Sequence, residues 1–279
     1  VVPPRNIGSL ISGAVVAILV LSLIYTIFNN QNFRWDVFAN YVFSPPILAG
    51  LLLTLQFTVY GVLTGIVIGT VLAFMWESRN PVLSVSSRAY VWFFMGTPLL
   101  VQIIFWYNLA LLFPRVEIGF PFVGQLYSQD MNKLLTPAIA VFFALALNEG
   151  AVLSYDIRAG LLSVSAGQKE AASALGMSSM RTFRRIVLPQ AMRVMVPTLT
   201  GKTIMFLKTT SLISVVGIGD LLYVSQLISA NNFLPIPLLM VASAWYLSVT
   251  TFLSIIQFFL ERHFGKGSAG RPAPSSTRT

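Results

Sequence analysis

Six long apolar stretches separated by short polar segments make up most of the chain: roughly 8–28, 47–76, 86–113, 134–158, 190–215 and 236–260. A helix needs about 20 apolar residues to cross a bilayer core of about 30 Å, so the pattern predicts six transmembrane helices. The first stretch, Gly8 to Phe28, carries no charge. Only Arg5 precedes it and no small-residue cleavage motif follows, which predicts a retained helix rather than a removed leader. Pro114, Pro121 and the run Tyr127-Ser128-Gln129-Asp130 punctuate the loop after the third span. Asn231, Asn232, Pro235 and Pro237 punctuate the entry to the sixth. In the second span Gly61, Gly65 and Gly69 recur every four residues and share one helix face. That face admits a close neighbouring backbone, either as general helix packing or as a dimer contact.

Composition supports the membrane reading. The 279 residues are 56% hydrophobic and only 10% charged, with 21 Phe and a net charge of +9; mean hydropathy is +0.77. Soluble chains carry about 25% charged residues, so a soluble enzyme, a disordered regulator and a nucleic-acid binder all fit poorly. The absence of cysteine excludes disulfides and thiol chemistry. Six spans place both termini on one side. That side holds Arg5, Arg79, Arg88, Arg158, Lys169, Arg181, Arg184, Arg185, Arg193, Arg262, Lys266, Arg271 and Arg278. The other side holds only Arg34, Arg115 and Lys133. The asymmetry makes the first side cytoplasmic. Of the acidic residues, Asp156 is counted on the inner side and Asp220 on the outer.

The connection from about Ser163 to Pro189, between spans four and five, is too polar to span and too patterned to be a linker. Ser165 and Gln168 fit a capping box, the residues to Leu175 are good helix formers, and Gly176 supplies a helix stop. Ser178 or Ser179 caps a second short helix. In it Met180, Phe183, Ile186 and Val187 form an apolar stripe beside Arg181, Arg184 and Arg185. Pro189 ends that helix or redirects the chain. The pattern predicts a helical knob outside the membrane, part apolar and part basic, either docked on a cytoplasmic partner or standing alone.

The residues Glu170, Ala171, Ala172, Gly176, Phe183, Ile186, Leu188 and Pro189 match every fixed position of the EAA loop of bacterial ATP-binding-cassette (ABC) importer permeases. Gly96-Thr97-Pro98-Leu99-Leu100-Val101-Gln102 resembles the RGTPLxxQ segment of the polar amino acid permease family, and Lys208-Thr209-Thr210-Ser211-Leu212 resembles its KDTSL segment. The resemblance covers roughly 47–260. It implies an all-α polytopic membrane protein of about six transmembrane helices with the type I ABC importer permease fold, and a cytoplasmic coupling-helix loop between spans four and five. An N-terminal helix and outer loop (1–46) would precede a permease core (47–261), and a flexible cytoplasmic tail (262–279) would follow it. The implied function is a permease subunit moving amino acids across the bacterial inner membrane. The implied partners are a second permease subunit (identical or homologous), two ATPase subunits, an extracytoplasmic amino-acid-binding protein and membrane lipid, with no nucleic acid. The chain has no GxxxxGK[ST] phosphate loop, so ATP and Mg belong to the partner ATPase and this chain needs no cofactor, metal or catalytic residue of its own. Arg181 and Arg184 join the eight EAA positions as ATPase-docking candidates. The sequence departs from the family at Met95, where Arg is usual, at Thr209, where Asp is usual, and before Arg158, where a Glu three residues earlier is usual.

Charges in the hydrocarbon zone are costly and mark function by default. Glu149, Lys202 and Lys208 fall there. Matching depths at 1.5 Å per residue sets Lys202 level with Glu149 and Lys208 about 8 Å higher, which suggests a Glu149–Lys202 brace. An amino acid needs donors for its carboxylate and acceptors for its ammonium. Thr97, Gln102, Asn108, Glu149, Lys208, Thr209, Thr210 and Ser211 are the pathway candidates. The missing Asp at 209 disfavours a basic substrate and leaves acidic or neutral polar amino acids. Alternatives are an ABC permease for another small solute, such as an osmolyte or oxyanion, and a stand-alone secondary transporter, for which no inverted repeat is visible. The aromatic cluster Tyr90, Trp92, Phe93, Phe94, Phe105, Trp106 and Tyr107 reads as interface or packing. Gly217-Ile218-Gly219 reads as a turn, and the lone His263 as a solvated residue.

Overall fold

The computed structural model describes residues 7–120 and 124–265. Arg5, Pro121 and the tail from Lys266, with Arg271 and Arg278, lie outside the described residues. In chain order the elements are α1 (Ile7–Asn29), α2 (Trp35–Tyr41), α3 (Pro45–Trp76), α4 (Pro81–Gly96), α5 (Leu99–Tyr107), α6 (Leu109–Leu112), β1 (Arg115–Phe120), β2 (Gly124–Asp130), α7 (Met131–Leu134), α8 (Pro137–Leu162), α9 (Ala166–Ala174), α10 (Ser179–Thr182), α11 (Leu188–Thr209), α12 (Leu221–Asn232) and α13 (Pro235–Gly265). A π-helical turn, Phe183–Val187, joins α10 to α11, and a 3-10 turn, Thr210–Val216, follows α11. Among the described residues four helices are long and apolar enough to cross a membrane, and six spans result if each of two bent pairs counts as one.

Prolines and side-chain caps set where spans begin. α3 opens on Pro45-Pro46 after the extended Ser44. α4 opens on Pro81, where Asn80 accepts from the Val82 N–H at 2.9 Å. α8 opens on Pro137, where Thr136 accepts from the Ile139 N–H at 3.4 Å. Proline in the first turn has no N–H to leave unpaired and its φ is already helical.

Two of the expected straight spans are bent. The third, expected over 86–113, is α4 and α5 meeting at 97°. Pro98 lacks an N–H and pushes Thr97 out of the helical region (φ −109°, ψ 139°). The fifth, expected over 190–215, begins earlier at α10 and passes continuously through the π turn, after which α12 leaves at 46°. Pro189 therefore neither ends the helix nor turns it. The Leu188 N–H reaches back to the Phe183 carbonyl, and Pro189 sits in the first turn of α11. The loop after the third span contains an antiparallel hairpin in which Arg115 pairs with Asp130 and Val116 with Gln129. The molecule is thus mostly helical rather than wholly so.

The glycine face of α3 is an internal seam. A Cβ added at Gly61 would meet the Phe206 ring at 2.6 Å, one at Gly65 would meet Glu149 Cγ at 2.9 Å, and one at Gly69 would meet the Gly150 carbonyl oxygen and Ser154 nitrogen at 3.0 Å. General packing, not a dimer contact, is what these glycines serve. Phe57, Ile103, Val141, Leu145, Phe206 and Ile213 form the central core around the seam. A second cluster (Ala73, Leu153, Ile157, Val164, Val187, Ala191 and Met195) fastens the 163–189 loop to α3, α8 and α11.

Asp220, expected as an outer-loop charge, is fully buried. It caps α12 by accepting from the Tyr223 N–H at 3.0 Å and the Leu222 N–H at 3.3 Å. The Leu221 N–H donates to Thr54 Oγ1 at 3.1 Å, tying α12 to α3. Gly50 permits that approach, since a Cβ there would lie 3.0 Å from the Asp220 carbonyl oxygen.

Candidate functional site

The 163–189 loop folds as two short helices around a glycine stop. Gly176 has φ +72°. Its N–H donates to the Ser173 carbonyl and the Met177 N–H to the Ala172 carbonyl, both at 3.0 Å, the paired bonds of a Schellman ending. An added Cβ at Gly176 would meet nothing within 4 Å, so the position requires glycine for its backbone, not for space. The capping box expected of Ser165 and Gln168 is not made. Ser165 stands at the N-cap without a side-chain bond, and only its carbonyl accepts from the Gln168 N–H, at 3.2 Å. The Gln168 side chain instead contacts Gln190.

The expected apolar stripe splits between two faces. Val187 is buried and Phe183 half-buried, the latter packed edge-on to Phe74 of α3 with ring centroids 5.7 Å apart. Met180 points outward at 66% exposure, and Leu175 at 81% is more exposed still. Of the expected docking set, Glu170, Ala171, Gly176, Arg181, Arg184 and Pro189 are exposed, Ile186 and Leu188 are half-buried, and Ala172 is buried. The knob thus presents Leu175 and Met180 amid Arg181, Arg184, Arg185 and Glu170. Leu175 escaped the sequence reading because it belongs to the helix stop, outside any periodic stripe.

At the same end of the spans Trp76 carries two guanidinium groups. Arg158 Cζ lies 5.0 Å and Arg88 Cζ 5.7 Å from its ring, within cation–π range. Arg158 Nε also donates to Glu77 Oε1 at 2.5 Å. This cluster joins α3, α4 and α8, and no linear motif announces it.

The intramembrane charges are arranged differently from expectation. Lys202 Nζ pairs with Asp156 Oδ2 at 3.9 Å, not with Glu149. Asp156, counted on the cytoplasmic side by sequence, stands near that end of α8. Depth counted along two ideal helices ignores the long lysine stem, which carries its ammonium toward the span end. Glu149 is 5% exposed, lies against Gly65, and its Oε1 has no hydrogen-bond partner among the described residues.

The pathway candidates fall into two groups. Gln102 and Thr97 serve the α4–α5 break. Gln102 Nε2 donates to the Phe94 carbonyl at 2.9 Å, the Thr97 carbonyl at 3.1 Å and Thr97 Oγ1 at 2.7 Å. Asn148 Nδ2 of α8 joins them, donating to the same Phe94 carbonyl at 2.8 Å. Asn108 donates to the Ile104 carbonyl at 2.8 Å, on its own helix. On α11 and the turn after it, Thr209 donates to the Met205 carbonyl, Thr210 to Leu207 and Ser211 to Lys208. Thr210 is fully buried and Lys208 exposed. Among the described residues no group of three His, Asp or Glu is placed to hold a metal. His263 is exposed, edge-on to Phe264. Gly217 ends the 3-10 turn at φ +76°, as the turn expectation requires.

Four span-length helices and two bent pairs among the described residues, with a protruding helical knob, fit a multi-pass membrane permease. Residues 61–266 match the family described as binding-protein-dependent transport system inner membrane component, and the chain belongs to that family. It is an ABC transporter permease. It is 37% identical to the arginine transport system permease protein ArgU of Corynebacterium glutamicum, over 95% of this chain and 83% of that one. It is 37% identical to the octopine transport system permease protein OccM of Rhizobium radiobacter, over 83% and 86% respectively. The glutamate/aspartate import permease protein GltK of Escherichia coli is 31% identical over 78% of this chain and 93% of its own length. Among solved structures, an amino acid ABC transporter with histidines aligns at TM-score 0.66 and 29% identity, covering 78% of this chain and 94% of that one.

Proposed function

We propose that the chain is the permease half of an importer for polar amino acids, driven by ATP hydrolysed on separate subunits that dock on the 163–189 loop. The observation that carries this is the knob itself: exposed apolar Leu175 and Met180 beside exposed Glu170, Arg181 and Arg184, on a loop pinned to three spans by Val164 and Val187. Such a knob transmits a push from an ATPase groove into α8 and α11. ATP and Mg sit on the ATPase. Two permease halves, two ATPases and an extracytoplasmic binding protein complete the complex, in the inner membrane with both termini cytoplasmic.

Glu149, Lys208 and the strip Thr209–Ser211 are proposed to meet the substrate, with Thr97, Gln102 and Asn108 shaping the pathway wall. Lys208 has no ion-pair partner among the described residues, and Thr209 supplies no carboxylate. Together these favour an acidic or neutral side chain. A basic substrate is the second reading, favoured by the 37% identity to an arginine permease and by the buried Glu149 carboxylate. Uptake into proteoliposomes containing the full complex separates the two readings. Competition by excess glutamate or glutamine should suppress uptake more than competition by arginine, and the reverse order overturns the acidic or neutral assignment. Glu170→Ala and Gly176→Asp should release the ATPase on co-purification while the permease stays folded. Retained ATPase and transport in both variants would remove the docking assignment.

A further inference from the structure

Two clefts share a wall where the docking loop meets the spans. The first, about 470 Å³, lies among the ends of α3 and α8, the helices α9 and α10, and the π turn, with Lys169, Ser173, Ser179 and Thr182 as polar lining. The second, about 430 Å³, extends along α3, α8 and α11 between apolar walls that include Ile66, Ile157, Met195 and Leu199. Phe74, Leu161 and Phe183 line both, so the pair forms one groove with a polar end at the loop and an apolar end among the spans.

The polar end is built around groups that the rest of the chain leaves unused. Thr182 lies in the floor of the cleft at 8% exposure, its Oγ1 sealed from the cleft and without a hydrogen-bond partner among the described residues. Lys169 has no ion-pair partner among the described residues, and Glu77 on the same rim is neutralised by Arg158 at 2.5 Å. The rim therefore offers one uncompensated positive charge, Lys169, and one exposed hydroxyl, Ser179, next to an apolar channel. That is the complement of an amphiphile with an anionic head and a hydrocarbon tail.

We propose that the groove binds an anionic phospholipid of the leaflet on the docking-loop side. Its phosphate would lie against Lys169 and Ser179, and one acyl chain would follow the second cleft. Lipid in this position fills the space between the docking helices and α3 and steadies the loop. The consequence for coupling rests on the docking reading above; the binding itself does not.

The test is native mass spectrometry of the full transporter, released from nanodiscs of equal parts phosphatidylcholine and phosphatidylglycerol. Wild type should retain phosphatidylglycerol over phosphatidylcholine by about fivefold, the effect of one lysine beside an anionic headgroup. Lys169→Gln should bring the two near parity. Ser179→Ala removes the exposed rim hydroxyl, leaves the Ser178 N-cap in place, and should cut phosphatidylglycerol retention severalfold. Arg262→Gln, which removes a positive charge at the end of α13, should change nothing. Equal retention of the two lipids by wild type overturns the proposal. So does wild-type behaviour in both cleft variants, or an equal loss in Arg262→Gln, which would assign the preference to the general positive charge of that side. Co-purified ATPase is scored in the same samples. A wild type that holds its ATPase but shows no lipid preference removes only the lipid site, and a wild type that shows the preference but holds no ATPase removes only the docking assignment.

Discussion

Gly176 shows how much one residue type can disclose. Its φ of +72° is open to glycine and costs other residues about 1 kcal/mol or more. Gly176→Ala should therefore loosen the Schellman ending and lower ATPase retention on co-purification, while the spans, measured by thermal unfolding in detergent, hold. The position was legible because a helix stop is written locally. The partner of Lys202 was not legible, because Asp156 and Lys202 stand on different helices and meet only through packing. In a thermal double-mutant cycle, Lys202→Met and Asp156→Asn should each destabilise, and the double variant by less than the sum of the two. Additive effects would mean that the pair at 3.9 Å carries no coupling. The hydroxyls of Thr209, Thr210 and Ser211 teach the same lesson: they look like free donors in the sequence, yet each donates to a carbonyl of α11.

At the scale of elements, hydropathy finds apolar length but not direction. The stretches were placed within a few residues of α1, α3, α8 and α13, since proline starts and apolar runs are local. The break at Pro98 was missed because both α4 and α5 are apolar. What makes the bend stable is Gln102 and Asn148 taking up the carbonyls that the break frees. The helix α12 was missed because the polar residues Ser225, Gln226, Ser229, Asn231 and Asn232 interrupt its apolar run. The glycine face of α3 was visible, but its occupant was not. Gly69→Leu should cost about 1–3 kcal/mol by overpacking, since backbone atoms of α8 stand 3.0 Å from the added Cβ and have little room to move. Gly13→Leu on the exposed α1, where nothing lies within 4 Å, should leave the unfolding midpoint unchanged. A comparable drop in both would mean that the loss at Gly69 is not specific to the α3–α8 seam, since leucine has the higher helix propensity at either site.

For the whole molecule, sidedness is the property the charge pattern states most directly, and the natural lack of cysteine makes it testable. Leu175→Cys on the knob and Tyr127→Cys on the hairpin are both exposed positions, separated by the single crossing of α8. In spheroplasts a membrane-impermeant maleimide should label Tyr127→Cys and reach Leu175→Cys only after lysis; labelling of both from outside would reverse the placement of the loop. The sequence by itself determined the membrane class, the approximate spans, the charge asymmetry and the two-helix form of the 163–189 loop. Each of these is a matter of composition or of spacing within one element, where a residue's neighbours in the chain are also its neighbours in space. Only the tertiary structure decided that the glycine seam faces α8, that Lys202 meets Asp156, that the third span folds back on Gln102, and that a polar-ended groove opens behind the docking helices. Those contacts join residues tens of positions apart, and their geometry follows from how tilted and broken helices pack, which spacing along the chain does not encode.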